Sequence, residues 1–317
     1  MLFRWHLLLS SGIRVPKKVV ILFALLLSLV SHAVFAAGAS ETSSQRRGQL
    51  YRITHEGKVS YLFGTIHVGR DGFYPLDAEA SRALLDSNTL VIELDIRQDV
   101  PFQKALARHG RYADGDVVQN HVSPATLNKM VAALAKAGLS LQSVQHYKPW
   151  LIANLLVGTE LDTHGFQRSQ AVEYALLAAA QKQDKSVQEL ESAEYQLGLF
   201  DMLDARQQEQ YLVESLADLA SGSSLRKSKA LIDAWSSADA PGIKAAWQSA
   251  TTGDSISAGF MQRVLLGKRN PEMATNIERI MRQDKVAFVG VGLLHLVGDD
   301  GLPQLLKRRG YQVEQLY

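Results

Sequence analysis

The chain has 317 residues, 46% hydrophobic and 21% charged, with a formal net charge of +2 and no cysteine. That length and balance suit a globular protein with a sizeable core. The absence of cysteine excludes disulfides, thiolate metal sites, a cysteine nucleophile and a lipidated cysteine.

Residues 1–36 read as a secretory signal, because Arg4, Arg14, Lys17 and Lys18 precede the apolar run VVILFALLLSLV, and Val34 and Ala36 are spaced for cleavage after Ala36. The apolar length of residues 19–37 also suits an uncleaved membrane anchor. Of the 34 basic residues, four lie in the signal segment, which leaves 30 against 32 acidic ones. A mature chain so close to neutral carries no basic face for nucleic acid. A bacterial periplasm is the expected address, with the membrane engaged only through the signal. Residues 37–48, AGASETSSQRRG, are small and polar and predict a flexible tether.

The stretch QLYRITHEGKVSYLFGTIH alternates apolar and polar residues on both sides of His55, Glu56 and Gly57, which predicts a hairpin. Its second arm becomes continuously apolar and ends in Gly64, Thr65, Ile66 and His67. Residues 76–85 have helical spacing, and NTLVIELDI is a short strand rich in branched residues; strand, helix, strand is the order of a parallel sheet. From residue 101 to 283 the pattern is nearly all helical. Ser123 and Pro124 start a helix with Leu127, Met130, Val131 and Leu134 on one face, and Gly138 ends it. KSVQEL is a short strand between helices over 169–183 and 192–203, and SGSSLRKS, residues 221–228, reads as a surface loop. The last residues return to strand, helix, strand: VAFVGVG, DGLPQLLKRR and YQVEQLY. The fold class is therefore α/β, with a mixed central sheet formed by the N- and C-terminal segments and a large helical insertion. One domain is expected over 49–317, with the insertion at 101–283.

Two GxxH segments, Gly64 to His67 and Gly292 to His295, each end a continuously apolar strand. Strand ends in open α/β sheets converge on a crevice where ligands bind. If the two ends of the chain share one sheet, His67 and His295 meet there. The glycine three residues earlier lets backbone turn or approach closely. Glu93 interrupts a core-like strand, and its pattern puts Val91, Glu93 and Asp95 on one face. A buried carboxylate needs a cation or donors. Two imidazoles and a carboxylate suit a divalent ion with positions open for water; equally, Glu93 ends the strand and pairs with an arginine. His55, His109, His121, His146 and His164 read as structural. No GxSxG, P-loop or dinucleotide motif is present, so a serine nucleophile has no motif to stand on.

YLFGTIHVG, VIELD, KPWL, AVEYALLAAAQKQDKSVQELESAEYQLGLF, GKRNPEMATNIERIM and FVGVGLLHLVGDDGLPQLLKRRGYQVEQLY together resemble the TraB/GumN family. That family is related to the Tiki proteases and, more distantly, to erythromycin-esterase-like (EreA) and ChaN-like proteins. The resemblance covers about residues 48–317. It implies an active site at His67, Glu93 and His295, with Arg269 and Asn270 in support and an acidic position at Glu173. Asp95, Gly64 and Gly292 complete the expected supporting set. The chain departs from the family pattern at Ala171, Asp184, Ser186 and Ser192, all in the insertion. The expected function is a metal-dependent hydrolase of the cell envelope, a peptidase in its narrower form. The expected cofactor is a divalent metal ion (manganese, cobalt or zinc), held by His67, Glu93 and His295, and the expected partner is a peptide or other small substrate. The alternative is a non-catalytic envelope accessory that binds a ligand or metal for polysaccharide or conjugation machinery; the ChaN likeness adds haem or iron capture.

Overall fold

The structure, a computed structural model, describes residues 45–283 and 286–317. The signal segment, residues 1–36, lies outside them. Six strands form one sheet: β1 Leu50–His55, β2 Lys58–Thr65, β3 Thr89–Ile92, β4 Ser186–Glu189, β5 Ala287–Gly292 and β6 Gln312–Gln315. Their order is β4-β3-β5-β2-β1-β6.

The hairpin β1–β2 closes through Glu56 and Gly57, both at positive φ, 49° and 77°. That pair of left-handed residues matches strand twist in a two-residue turn. β1 pairs antiparallel with β2 and β6, whereas β2, β5, β3 and β4 run parallel. β5 therefore sits between β2 and β3, and the sheet is the mixed one expected, built from both ends of the chain. Its branched and aromatic residues Ile53, Leu62, Phe63, Leu90, Ile92, Phe288 and Val291 are fully buried. At about 25 cal/mol per Å² of apolar surface, covering both faces of these strands is the main stabilising contribution.

Among the described residues the insertion is helical apart from β4 and short turns. Ser123 caps the helix Pro124–Lys136 by accepting from Thr126 N. Met130 and Leu134 face inward as their spacing predicts, but Val131 is 40% exposed; a step of one residue turns the side chain by about 100°, off the buried stripe.

Residues 221–228 are not a surface loop. Gly222, at φ 68°, ends the helix Ala205–Ser221, and the helix Ser223–Ser236 begins at the next residue. One glycine in the left-handed region reverses the chain, so the polar run after it is free to be helical. That second helix carries Trp235 into the sheet's core, where its indole N–H donates to Gly64 O at 2.9 Å. Gly48 N in turn donates to Trp235 O at 2.6 Å, and Arg47 is buried, so residues 47 and 48 pack against the domain.

Among the described residues no helix is long and apolar enough to cross a membrane. A cavity of about 500 Å³ between the helices Pro124–Lys136, Pro149–Thr163 and Ala205–Ser221 is lined by Ala133, Leu156 and Leu216 and holds none of the candidate site residues.

Glu214 is expected to make the insertion sensitive to acid. Its carboxylate caps the helix Ile256–Phe260, accepting from Ile256 N at 3.0 Å, Ser257 N at 2.9 Å and Ser257 Oγ at 2.6 Å. Burial pushes its pKa up, but the Ser257 hydroxyl and the two amides outweigh burial and hold it below its ordinary 4.5. A lowered folded-state pKa adds stability above the unfolded value, and that stability is lost as pH falls through the folded one. Glu214→Ala is expected to cost about 1–2 kcal/mol at pH 7. In urea unfolding the gap to wild type should shrink below pH 4.5.

Candidate functional site

β2 and β5 lie side by side and parallel, with Thr65 opposite Gly292, and β3 flanks β5 with Ile92 opposite Gly290. All three strands therefore end at one edge of the sheet. The chain just past them carries His67, Glu93 and His295.

Gly292 is the space around which these side chains gather. A Cβ there would stand 3.1 Å from Glu93 Oε1, 3.4 Å from His67 Nε2 and 3.6 Å from His295 Cδ2. Its φ of −52° is open to any residue, so the glycine is needed for room rather than for a turn. Gly64 has the same kind of role. A Cβ on it would lie 2.5 Å from Leu293 Cδ1 and 3.0 Å from Leu296 Cδ1, so the bare backbone of the first GxxH segment accommodates the leucines of the second.

Glu93 sits in a bend immediately after β3, 12% exposed. Gly292 N donates to its Oε1 and Arg269 Nη2 to its Oε2, each at 2.5 Å, and Gln196 Nε2 reaches Oε2 at 3.3 Å. Burial works to raise the Glu93 pKa; the Arg269 guanidinium, the two imidazoles and the Gly292 amide overcome it and hold the group well below the usual carboxylate range. Glu93 thus ends the strand against an arginine, as one reading of the sequence had it, and also lies beside the two histidines.

His295 is buried, 5% exposed. Its Nδ1 lies 2.5 Å from Asn270 Oδ1, and Asn270 Nδ2 donates to Asp300 O at 2.8 Å. The Asn270 carbonyl oxygen fixes the proton on Nδ1, so Nε2 presents a lone pair 3.7 Å from Glu93 Oε1. Burial, helped by Arg269, lowers the His295 pKa to about 4, so the ring is neutral at pH 7.

His67 is 70% exposed, and its Nδ1 lies 2.9 Å from Glu173 Oε1. The same oxygen accepts from Thr65 Oγ1 at 2.6 Å. The Glu173 carboxylate raises the His67 pKa to about 9. Glu173 itself is held in place because Val172 N, at the start of the helix Val172–Lys182, donates to Ile66 O at 3.2 Å.

Arg269 opens the helix Arg269–Met281 and is buried. Besides Glu93 it binds Glu191, through Nε at 3.0 and 3.1 Å and through Nη2 at 2.6 Å. Burial would lower its pKa; Glu93 and Glu191 together raise it instead. Glu191, 3% exposed, was missed in the sequence. It lies just past β4, and the strand-end rule that picks out His67, Glu93 and His295 applies to it equally. Gln196, also missed, spans the two carboxylates through Glu191 Oε2 at 2.8 Å.

Asp95 does not join the site. Arg97 donates to it through Nε at 2.9 Å, Nη2 at 2.7 Å and the backbone amide at 3.0 Å. The expected shared face with Glu93 fails because β3 stops at Ile92, and alternation stops with it. The other described histidines have local partners: His55 stacks on Tyr311, His121 on Tyr112, His109 pairs with Asp201 and Glu194, and His146 and His164 bond to backbone carbonyls.

The donor set suits a divalent cation. Each imidazole has Nδ1 held by an oxygen, His67 Nε2 stands beside Gly292 and His295 Nε2 lies 3.7 Å from Glu93 Oε1, while Glu93 and Glu191 share one arginine. Among the described residues no three His, Asp or Glu groups already stand in ligand geometry around one point.

The model of the TraB/PrgY/gumN family matches residues 49–315. "Uncharacterized protein YbaP" of Shigella flexneri is 26% identical over 249 residues, 78% of this chain and 88% of that protein. The YbaP of Escherichia coli (strain K12) is 26% identical over 248 residues, 78% and 87% of the two chains. No solved structure matches the chain significantly. With its family model spanning both GxxH segments and the whole of the sheet, the chain belongs to the TraB/PrgY/gumN family.

Proposed function

We propose that this protein is an exported metal-dependent hydrolase whose first candidate substrate is a peptide bond. The observation that carries the reading is the meeting of His67 Nε2, Glu93 Oε1 and His295 at Gly292, on the ends of adjacent parallel strands. His67, Glu93 and His295 would hold the divalent ion, which when bound supplies Lewis acidity toward a carbonyl and makes water more acidic.

The chain's own groups do the remaining work. Glu173 and Asn270 orient the imidazoles through Nδ1. Arg269 and the Gly292 amide keep Glu93 ionised in a partly buried site. Glu93 accepts a proton at Oε1 only against that strong ionisation, so it serves better as a charge than as a base. Its commitment to three donors also favours the second reading, a site that binds metal or ligand without turnover.

Metal analysis of the exported protein, followed by a peptide-library assay with and without the bound metal, separates these readings. Metal-dependent cleavage supports the hydrolase. Stoichiometric metal with no cleavage favours the binding role, and no metal at all sinks the hydrolase and leaves only the binding of another ligand. Mass spectrometry of the periplasmic protein tests export, with a new N-terminus expected after Ala36.

A further inference from the structure

Arg70 is the one exposed arginine or lysine on the His67 loop, and no described carboxylate forms an ion pair with it. Its guanidinium instead rests over two aromatic rings, 5.3 Å from the centroid of Phe73 and 5.4 Å from that of Phe166. Both rings are buried. A guanidinium fixed on ring faces keeps its in-plane N–H donors free while its rotamers are already restricted. Most other arginines in the described chain are committed to carboxylates, among them Arg97, Arg168, Arg269 and Arg309.

The loop holding Arg70 and the loop holding His67 are the same loop, and one strap braces both. Gly69 and Gln167 exchange backbone hydrogen bonds at 2.9 and 2.8 Å, and Val172 N donates to Ile66 O. Gly69 has no space for a side chain, because Gln170 O would lie 1.8 Å from a Cβ. The strap thus delivers Phe166 to Arg70 and Glu173 to His67. Three residues separate the two Cα atoms by at most about 10 Å, and the two side chains add roughly as much again, so the guanidinium lies within about six residues of an extended peptide from the His67 imidazole.

We propose that Arg70 is a specificity-determining residue that binds a carboxylate of the substrate. Resting on the hydrolase reading, this names the substrate class as peptides or amides with a free carboxylate within about six residues beyond the scissile carbonyl, as at the C-terminus of a short peptide. The planar fork of the guanidinium fits that group with two parallel hydrogen bonds.

The test uses the full exported chain and two matched sets of short acetylated peptides, one with free C-terminal carboxylates and one amidated. With the hydrolase active, the free acids are expected to show kcat/KM about tenfold or more above the amides, mainly through KM. Arg70→Ala should erase that preference and leave turnover of the amides unchanged, while Arg70→Lys should retain part of it. Equal turnover of acids and amides by wild type, or a preference that survives Arg70→Ala, overturns the proposal. Calorimetric binding of the same acid and amide pair, read without turnover, covers the case in which no peptide is cleaved. Tighter binding of the acid, lost in Arg70→Ala, supports Arg70 even if the hydrolase reading fails. Equal or absent binding of the two overturns it.

Discussion

Arg269→Met is expected to destabilise the protein by about 3–5 kcal/mol, because it removes one partner of a buried ion cluster and leaves the other charges behind. Glu93 and Glu191 are 12% and 3% exposed and share the guanidinium. Gln196 is the remaining side-chain donor to both, and one neutral amide does not replace a cation. Arg269→Lys should cost less, since it restores charge without the fork that reaches two carboxylates. Urea unfolding at pH 7 reads both variants. A loss under about 1 kcal/mol for Arg269→Met would show that the carboxylates are not held by the arginine. Adding Glu93→Gln to Arg269→Met should recover part of the loss, because one stranded charge is then gone.

His67→Ala and His295→Ala are both expected to abolish metal binding and any turnover that depends on it, and both should also cost stability although they stand at strand tips. The His67 ring is 70% exposed, but Glu173 behind it is buried and keeps only the Thr65 hydroxyl once the imidazole is gone, a loss of about 1–2 kcal/mol. His295 is 5% exposed and is the partner of Asn270 Oδ1, so its loss leaves a buried carbonyl without a donor at a cost of about 1–3 kcal/mol. Metal content, thermal unfolding and activity on each variant check the three parts separately. A metal stoichiometry that survives both substitutions would remove the two imidazoles from the site.

The arrangement of the sheet was legible because its elements obey short-range rules. Alternation flanking Glu56 and Gly57 marks a hairpin, and continuous apolar runs ending in GTIH and GLLH mark buried strands whose tips face a crevice. The pairing of β2 with β5 follows once both are seen to need burial on two faces. Composition alone misread residues 221–228, since whether Ser and Gly form a loop or a helix start depends on Trp235 finding a place against Gly64. Asp95 was misassigned for a similar reason: alternation holds only while the strand lasts, and where it stops is set by the bend that takes Glu93 to Gly292.

By itself, then, the sequence determined which elements form and which residue types stand at the ends of the strands, because period, turn chemistry and apolar runs are properties of neighbours in the chain. Only the tertiary structure decided the company each of those residues keeps. Glu191 meets Arg269 across 78 positions, Glu173 reaches His67 across 106, and Asn270 holds His295 across 25. Charge compensation inside a protein acts through space over a few ångströms, and no pattern along the chain records which distant side chain will come to lie within that range.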